Sequence, residues 1–145
     1  MFDPTRIQYS GRSFLAGANR CFEKRPLPDG KFEMPLQAAV VCLAFGVELC
    51  LKALLAREQK KATGHKLLAL FNKLSTASQE EIASDLSLTL HDTRQKVGAI
   101  SSVFEEWRYV YEKEELKLDL DFLRNFAAKV ERLLQEKSSL TGVDA

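Results

Sequence analysis

Residues Ala38 to Ala56 read AAVVCLAFGVELCLKALLA, and the only charges in that run are Glu48 and Lys52. A segment apolar on every side belongs in the interior of a helical protein. A charge placed there costs several kcal/mol unless it is paired and hydrogen-bonded. The fold must therefore bring something to these two side chains. They are four residues apart in the order that favours an ion pair, on a helical stripe with Gln37, Val41, Ala44 and Leu55. One reading is a structural pair at the bundle edge, with Lys52 reaching outward to solvent. The other is that Glu48 anchors Arg108 or Tyr109 and forms part of a polar site between helices. The run is also about long enough to span a membrane. Its two charges, its alanine content and the lack of a companion segment predict a buried core helix instead, with no membrane partner.

Working outward, Asp3-Pro4 reads as an N-cap followed by proline at the first helical position. A helix from about Pro4 to Cys21 follows, with Ile7, Phe14, Leu15, Ala18 and Phe22 facing inward. Arg25-Pro26-Leu27-Pro28-Asp29-Gly30 is a loop closed by a Pro-Asp-Gly turn. The long helix covers about Pro35 to Gln59, and a short one covers His65 to about Leu74. Ser78 with Glu81 makes a capping box that opens the next helix. Spacings of three and four then continue through Val97, Ile100, Phe104, Trp107 and Tyr111. One long helix fits them, and so do two broken near His91-Asp92, where Asp92 and Gln95 offer a second capping box. A last helix covers about Asp119 to Glu136, and Ser138–Ala145 is expected to fray. Only Trp107–Glu112 shows an alternation that a strand would also satisfy. The fold class is all-α: one domain, residues 1–137, forming an antiparallel up-and-down bundle of five to six helices.

The 145 residues carry a formal net charge of +1, so no global field draws the chain to nucleic acid or to a membrane surface. Three cysteines without a CxxC spacing, and only two histidines, predict no metal site, no cofactor and a reducing, cytoplasmic setting. The opening MFDPTRIQYS lacks the basic lead and apolar stretch of a signal peptide. Cys50 has no activating base in its apolar surroundings, which argues against a cysteine nucleophile. No Gly-rich phosphate loop, GxSxG or HExxH motif is present.

The candidate functional residues are few. Gly64-His65 admits a packing or capping histidine, or a general base or phosphate contact at a helix N-terminus. From Lys52 to Lys73, six basic residues (among them Arg57, Lys60, Lys61 and Lys66) face Glu58 alone, a net +5. Such a tract is either solvated surface or a nucleic-acid contact. Trp107–Glu112 (WRYVYE) holds the single Trp and two of the three Tyr. Its rings admit base stacking, but the shared face of Phe104, Trp107 and Tyr111 points to core. Seven acids against three bases from Glu105 to Asp121 leave that stretch at −4.

Three segments, Gly46–Leu55 (GVELCLKALL), Gly64–Phe71 (GHKLLALF) and Trp107–Glu112, resemble in order and spacing the HEPN superfamily (higher eukaryotes and prokaryotes nucleotide-binding). The resemblance covers about Pro35 to the end of the last helix. It implies a small helical bundle, commonly dimeric, working on RNA or nucleotides, often in bacterial defence or toxin–antitoxin systems. Many members are metal-independent ribonucleases with an arginine four to six residues before a histidine. Here seven residues separate Arg57 from His65, and His91 has no arginine shortly before it. The nuclease signature therefore does not carry over. What the resemblance implies is a non-nucleolytic branch whose shared polar residues are Glu48, Lys52, His65, Arg108 and Glu112. It would bind RNA, a nucleotide or a protein partner, as a homodimer. The alternatives are a degenerate ribonuclease with His65 as catalytic residue, and a purely structural or regulatory interaction module.

Overall fold

A computed structural model describes residues 3–140. The chain is an all-α helical bundle. Its elements are α1 (Pro4–Cys21), a minimal hairpin of β1 (Arg25–Pro26) and β2 (Phe32–Glu33), α2 (Leu36–Arg57), α3 (Leu67–Lys73), α4 (Thr76–Asp85), α5 (Leu90–Ala99), α6 (Val103–Arg108), a 3-10 turn (Val110–Glu112) and α7 (Leu120–Leu140).

The apolar run becomes α2, and the other helices pack around it. Val47, Leu51, Leu54 and Leu55 are buried there with Phe71 of α3 and Leu123, Phe126 and Leu134 of α7. Taken by length and hydropathy, α2 would cross a membrane, yet 67% of its most apolar window is buried inside the bundle. Helix α1 runs antiparallel to α2: Gln8 meets Arg57, and Leu15 packs on Gly46. Two glycines set this approach. A Cβ on Gly46 would stand 2.7 Å from Leu15 Cδ2 and 3.0 Å from the Leu15 backbone nitrogen. A Cβ on Gly11 would stand 2.8 Å from Cys50 Sγ. The helices touch backbone to side chain because neither glycine fills the seam.

The helix starts follow local chemistry. The Asp3 side chain accepts a hydrogen bond from Thr5 N ahead of Pro4. Other boundaries differ from the sequence reading. The N-cap of α4 is Ser75, whose Oγ accepts from Ser78 N, so Ser78 lies one turn inside the helix and is buried. Likewise Thr89 caps α5 through Asp92 N, which displaces the expected Asp92–Gln95 box. The expected single or double helix across residues 79–111 is three helices. The first break follows Leu86, where Ser87 takes φ +58° and Leu88 N reaches back to Ala83 O. The second separates α5 from α6 at Ile100–Ser102. Residues 107–112 end a helix and make a 3-10 turn, so the alternation there is not a strand. The 25–30 loop does carry strand pairing, two residues on each side (Arg25 with Glu33, Pro26 with Phe32). The last helix continues past Glu136, and Ser138 is buried in it with its hydroxyl 2.6 Å from Gln8 Oε1. The expected fraying therefore does not apply at Ser138. Residues 141–145 lie outside the described residues.

A methyl group at residue 46 tests the α1–α2 seam. Gly46→Ala gains about 1 kcal/mol of helix propensity, but overpacking against a backbone atom costs about 1–3 kcal/mol. The expected outcome is a net loss of stability in urea unfolding, whereas Gly17→Ala in α1, with open space around its Cβ, gains.

Candidate functional site: a buried carboxylate holding a histidine

Glu48 sits in the middle of α2 with none of its surface exposed. Two groups reach its carboxylate. Lys52 Nζ, one turn further along α2, donates to Oε2 at 3.1 Å. His65 Nδ1 lies 3.0 Å from Oε2 and 3.1 Å from Oε1. An ionised carboxylate only accepts, so Nδ1 carries the proton in this contact. The Lys52 side chain keeps 19% of its surface in solvent and the His65 side chain keeps 48%. The Lys52 stem lies along the apolar helix while its ammonium sits near the edge.

His65 arrives there through backbone geometry. Gln59 ends α2 in the left-handed region at φ +58°, and Lys60 N bonds back to Leu55 O. Gly64 then takes φ +86°, a conformation that costs other residues about 1 kcal/mol or more. That turn directs the next side chain back toward α2. The expected helix start at His65 is consequently late. Lys66 is still extended, and α3 begins at Leu67. The first amides of α3 are already used: Leu67 N donates to Ser101 O and Leu68 N to Ser101 Oγ. An anion held by those N–H groups would have to displace Ser101, so His65 does not stand at an open helix N-terminus.

The third segment joins through aromatic contacts. The Phe104 ring lies 5.6 Å from the His65 ring and stacks on Phe45 of α2 at 4.9 Å. The Arg108 guanidinium lies over Phe104 at 4.6 Å and over Tyr109 at 5.3 Å. Arg108 thus meets the junction through a ring and not through Glu48. The carboxylate is already filled by Lys52 and His65. Gln37, from the same α2 stripe, donates to Trp107 O at 3.2 Å and holds α6 against the start of α2. Trp107 Nε1 is buried without a hydrogen-bond partner among the described residues. Glu112 is exposed in the 3-10 turn and makes no ion pair or side-chain hydrogen bond among the described residues.

The basic tract is largely committed to the protein itself. Arg57 donates to Gln8 Oε1 at 3.0 Å. Lys60 meets Lys73 O at 2.8 Å and Glu58 at 3.1 Å, and Lys73 reaches Lys61 O at 3.3 Å. Lys66 bonds to Ser102 Oγ at 2.7 Å and pairs with Glu105 at 3.2 Å. Lys61 is exposed at the edge of this network. Adding positive charges by sequence therefore overstates the field that this surface offers a ligand.

Sequence reasoning missed a second polar cluster, at Glu58. Its carboxylate accepts from Ser75 N at 2.9 Å, Ser75 Oγ at 3.1 Å and Ser78 Oγ at 2.9 Å. Burial alone would raise its pKa. Hydrogen bonds from Ser75 N, Ser78, Lys60 and the Ser75 hydroxyl outweigh that and hold it below the ordinary value. The capping serine at the start of α4 was the available signal, read one turn too late. Cys50 is chemically quiet: burial first, with the Glu131 carboxylate adding and Arg12 opposing, pushes its thiol up to about 12.

Comparison with known proteins adds no relative: no family model, curated protein or solved structure matches this chain.

Two measurements check this geometry. In a double-mutant cycle of Glu48→Gln and His65→Ala, urea unfolding should give a coupling of about 1 kcal/mol. A hydrogen bond to a charged group is worth more when buried, but His65 is half exposed. Glu58 has a depressed folded pKa, so its contribution is complete above the ordinary 4.5 and is lost as pH falls through the lower folded value. Wild-type stability should fall below about pH 4.5, and Glu58→Gln should flatten that part of the curve.

Proposed function

We propose that this chain is a HEPN-type helical module that binds RNA or a nucleotide at the Glu48–His65–Arg108 junction. In this reading it works in the cytoplasm as a homodimer and does not use the arginine–histidine nuclease signature. One observation carries the reading. The three segments that bear the resemblance, two of them near neighbours in sequence and the third some forty residues further on, meet at one half-open junction. Glu48 and Lys52 supply the first, His65 the second, and Arg108 the third by way of Phe104.

The chemistry of the junction suits a phosphate-bearing ligand. Glu48 fixes the His65 ring by Nδ1, which leaves Nε2 on a half-exposed ring, without a protein partner among the described residues, to accept from a ribose hydroxyl or a base N–H beside the phosphate. Arg108 is exposed and makes no ion pair among the described residues. A guanidinium held over an aromatic face is a preorganised phosphate or base contact. Lys52 offsets the carboxylate, so the ligand does not face a net negative site. The basic tract contributes less, because most of its side chains are tied to the protein.

A second reading keeps His65 as a catalytic base in metal-independent RNA cleavage. The Glu48–His65 contact favours it, since a carboxylate on Nδ1 fixes the tautomer in which Nε2 accepts a proton. One experiment separates the two. Labelled single-stranded RNA is incubated at low salt with wild type, His65→Ala and Arg108→Gln, each shown to be folded by circular dichroism. The binding reading expects RNA retained by wild type, weakened several-fold in both variants, and left intact. Cleavage by wild type that disappears in His65→Ala establishes the second reading. Absence of RNA binding and cleavage in wild type, together with no binding of a labelled mononucleotide, removes the two together.

A further inference from the structure

We propose that Tyr109 and Tyr111, with the Arg108 guanidinium, form a base-stacking platform for single-stranded RNA beside the His65 junction. The proposal rests on the RNA-binding reading above and adds the nucleobase as the part of the ligand taken by this face.

Helical periodicity places Tyr111 with Phe104 and Trp107 in the core. The structure does otherwise. Helix α6 stops at Arg108, Tyr109 takes φ −119° and ψ 32°, and the chain enters the 3-10 turn. That break turns both tyrosines outward. Tyr109 is 46% exposed and Tyr111 76% exposed, with ring centroids 6.4 Å apart in an edge-to-face arrangement. Single exposed tyrosines are ordinary on protein surfaces. Here two adjoin each other, Arg108 lies over one of them, and the same Arg108 leads through Phe104 to His65.

The surrounding charge selects what can dock. In this stretch of chain the exposed acids, Glu106, Glu112, Glu114 and Glu115, outnumber the exposed bases Arg108 and Lys113. They repel a phosphate backbone laid directly over the platform. A neutral base is not repelled, and any base has a π-face that stacks on tyrosine or guanidinium. The sugar–phosphate chain would then leave toward the junction, where the N–H edge of the exposed Arg108 guanidinium is the available cation. This arrangement suits one or two bases per site and a shallow salt dependence, because few phosphates are neutralised. An apolar groove of about 620 Å³ lined by Pro35, Leu36, Ala38 and Val41 also borders Arg108. It suits a peptide as well as a base edge.

The test compares two probes and three proteins by fluorescence anisotropy at low salt. The probes are a labelled oligouridylate and an abasic ribose-phosphate chain of equal length. The proteins are wild type, Tyr109→Leu/Tyr111→Leu and Tyr109→Phe/Tyr111→Phe. The substituted side chains are exposed, and circular dichroism verifies that each variant is folded. The expected result is a loss of about tenfold to a few hundredfold in the leucine pair, the range for base–aromatic stacking. The phenylalanine pair should retain wild-type affinity, and the abasic chain should bind wild type as weakly as the oligouridylate binds the leucine pair. Equal binding of both probes by wild type, or no loss in the leucine pair, overturns the platform and leaves the RNA-binding reading standing. No binding of either probe by wild type overturns both.

Discussion

A carboxylate with no exposed surface, in the middle of the most apolar helix, must be solvated by the protein itself. Glu48 is that group, and much of the local structure follows from it. Moving an ionised carboxylate out of water costs several kcal/mol even after relaxation. One lysine from the same helix offsets part of this. The rest comes from His65, which a left-handed glycine brings back across the end of α2. The ring held in this way supports Phe104, and Phe104 supports Arg108. A single desolvated charge thus positions three side chains that lie up to sixty residues away from it in sequence.

The close approach of α1 to α2 is the complementary constraint. Gly11 and Gly46 remove two side chains from the seam, and Leu15 and Cys50 occupy the space. Close packing there leaves the Phe14–Phe45–Phe104 rings as a row along the outer edge, with Phe14 37% exposed. The row connects the seam to the junction. It also explains why Phe14, expected inside on periodicity, lies at the rim of an aromatic face. The Glu58 cluster at the other end of the chain turn works on the same physics as Glu48. Its carboxylate is partly buried and is satisfied by a backbone amide, two hydroxyls and Lys60.

Much of the architecture was legible because hydrophobic periodicity is a local property. The extents of α1 and α2, the buried character of α2 and the N-cap at Asp3 all follow from neighbours within a few residues. The errors fall where a competing local choice exists. Ser75 and Ser78 both offer a cap, and tertiary contact with Glu58 engages the two hydroxyls together. Thr89 and Asp92 compete in the same way. His65 reads as a helical residue by pattern, but its ring is held by a carboxylate seventeen residues earlier, and the helix starts two residues later.

Sequence by itself determined that the chain is helical, that α2 is its centre, and that Glu48 needs partners, because each depends on composition and spacing along one element. Only the tertiary structure decided who those partners are. Lys52 was available by spacing, but His65 and not Arg108 completes the shell, since the left-handed turn at Gly64 brings the His65 ring within hydrogen-bond reach of the carboxylate. Tertiary structure also decided that Tyr111 faces solvent, because the helix that would have buried it ends at Arg108. Periodicity can say which face a residue would occupy on a helix, but not where packing against the neighbouring elements stops that helix.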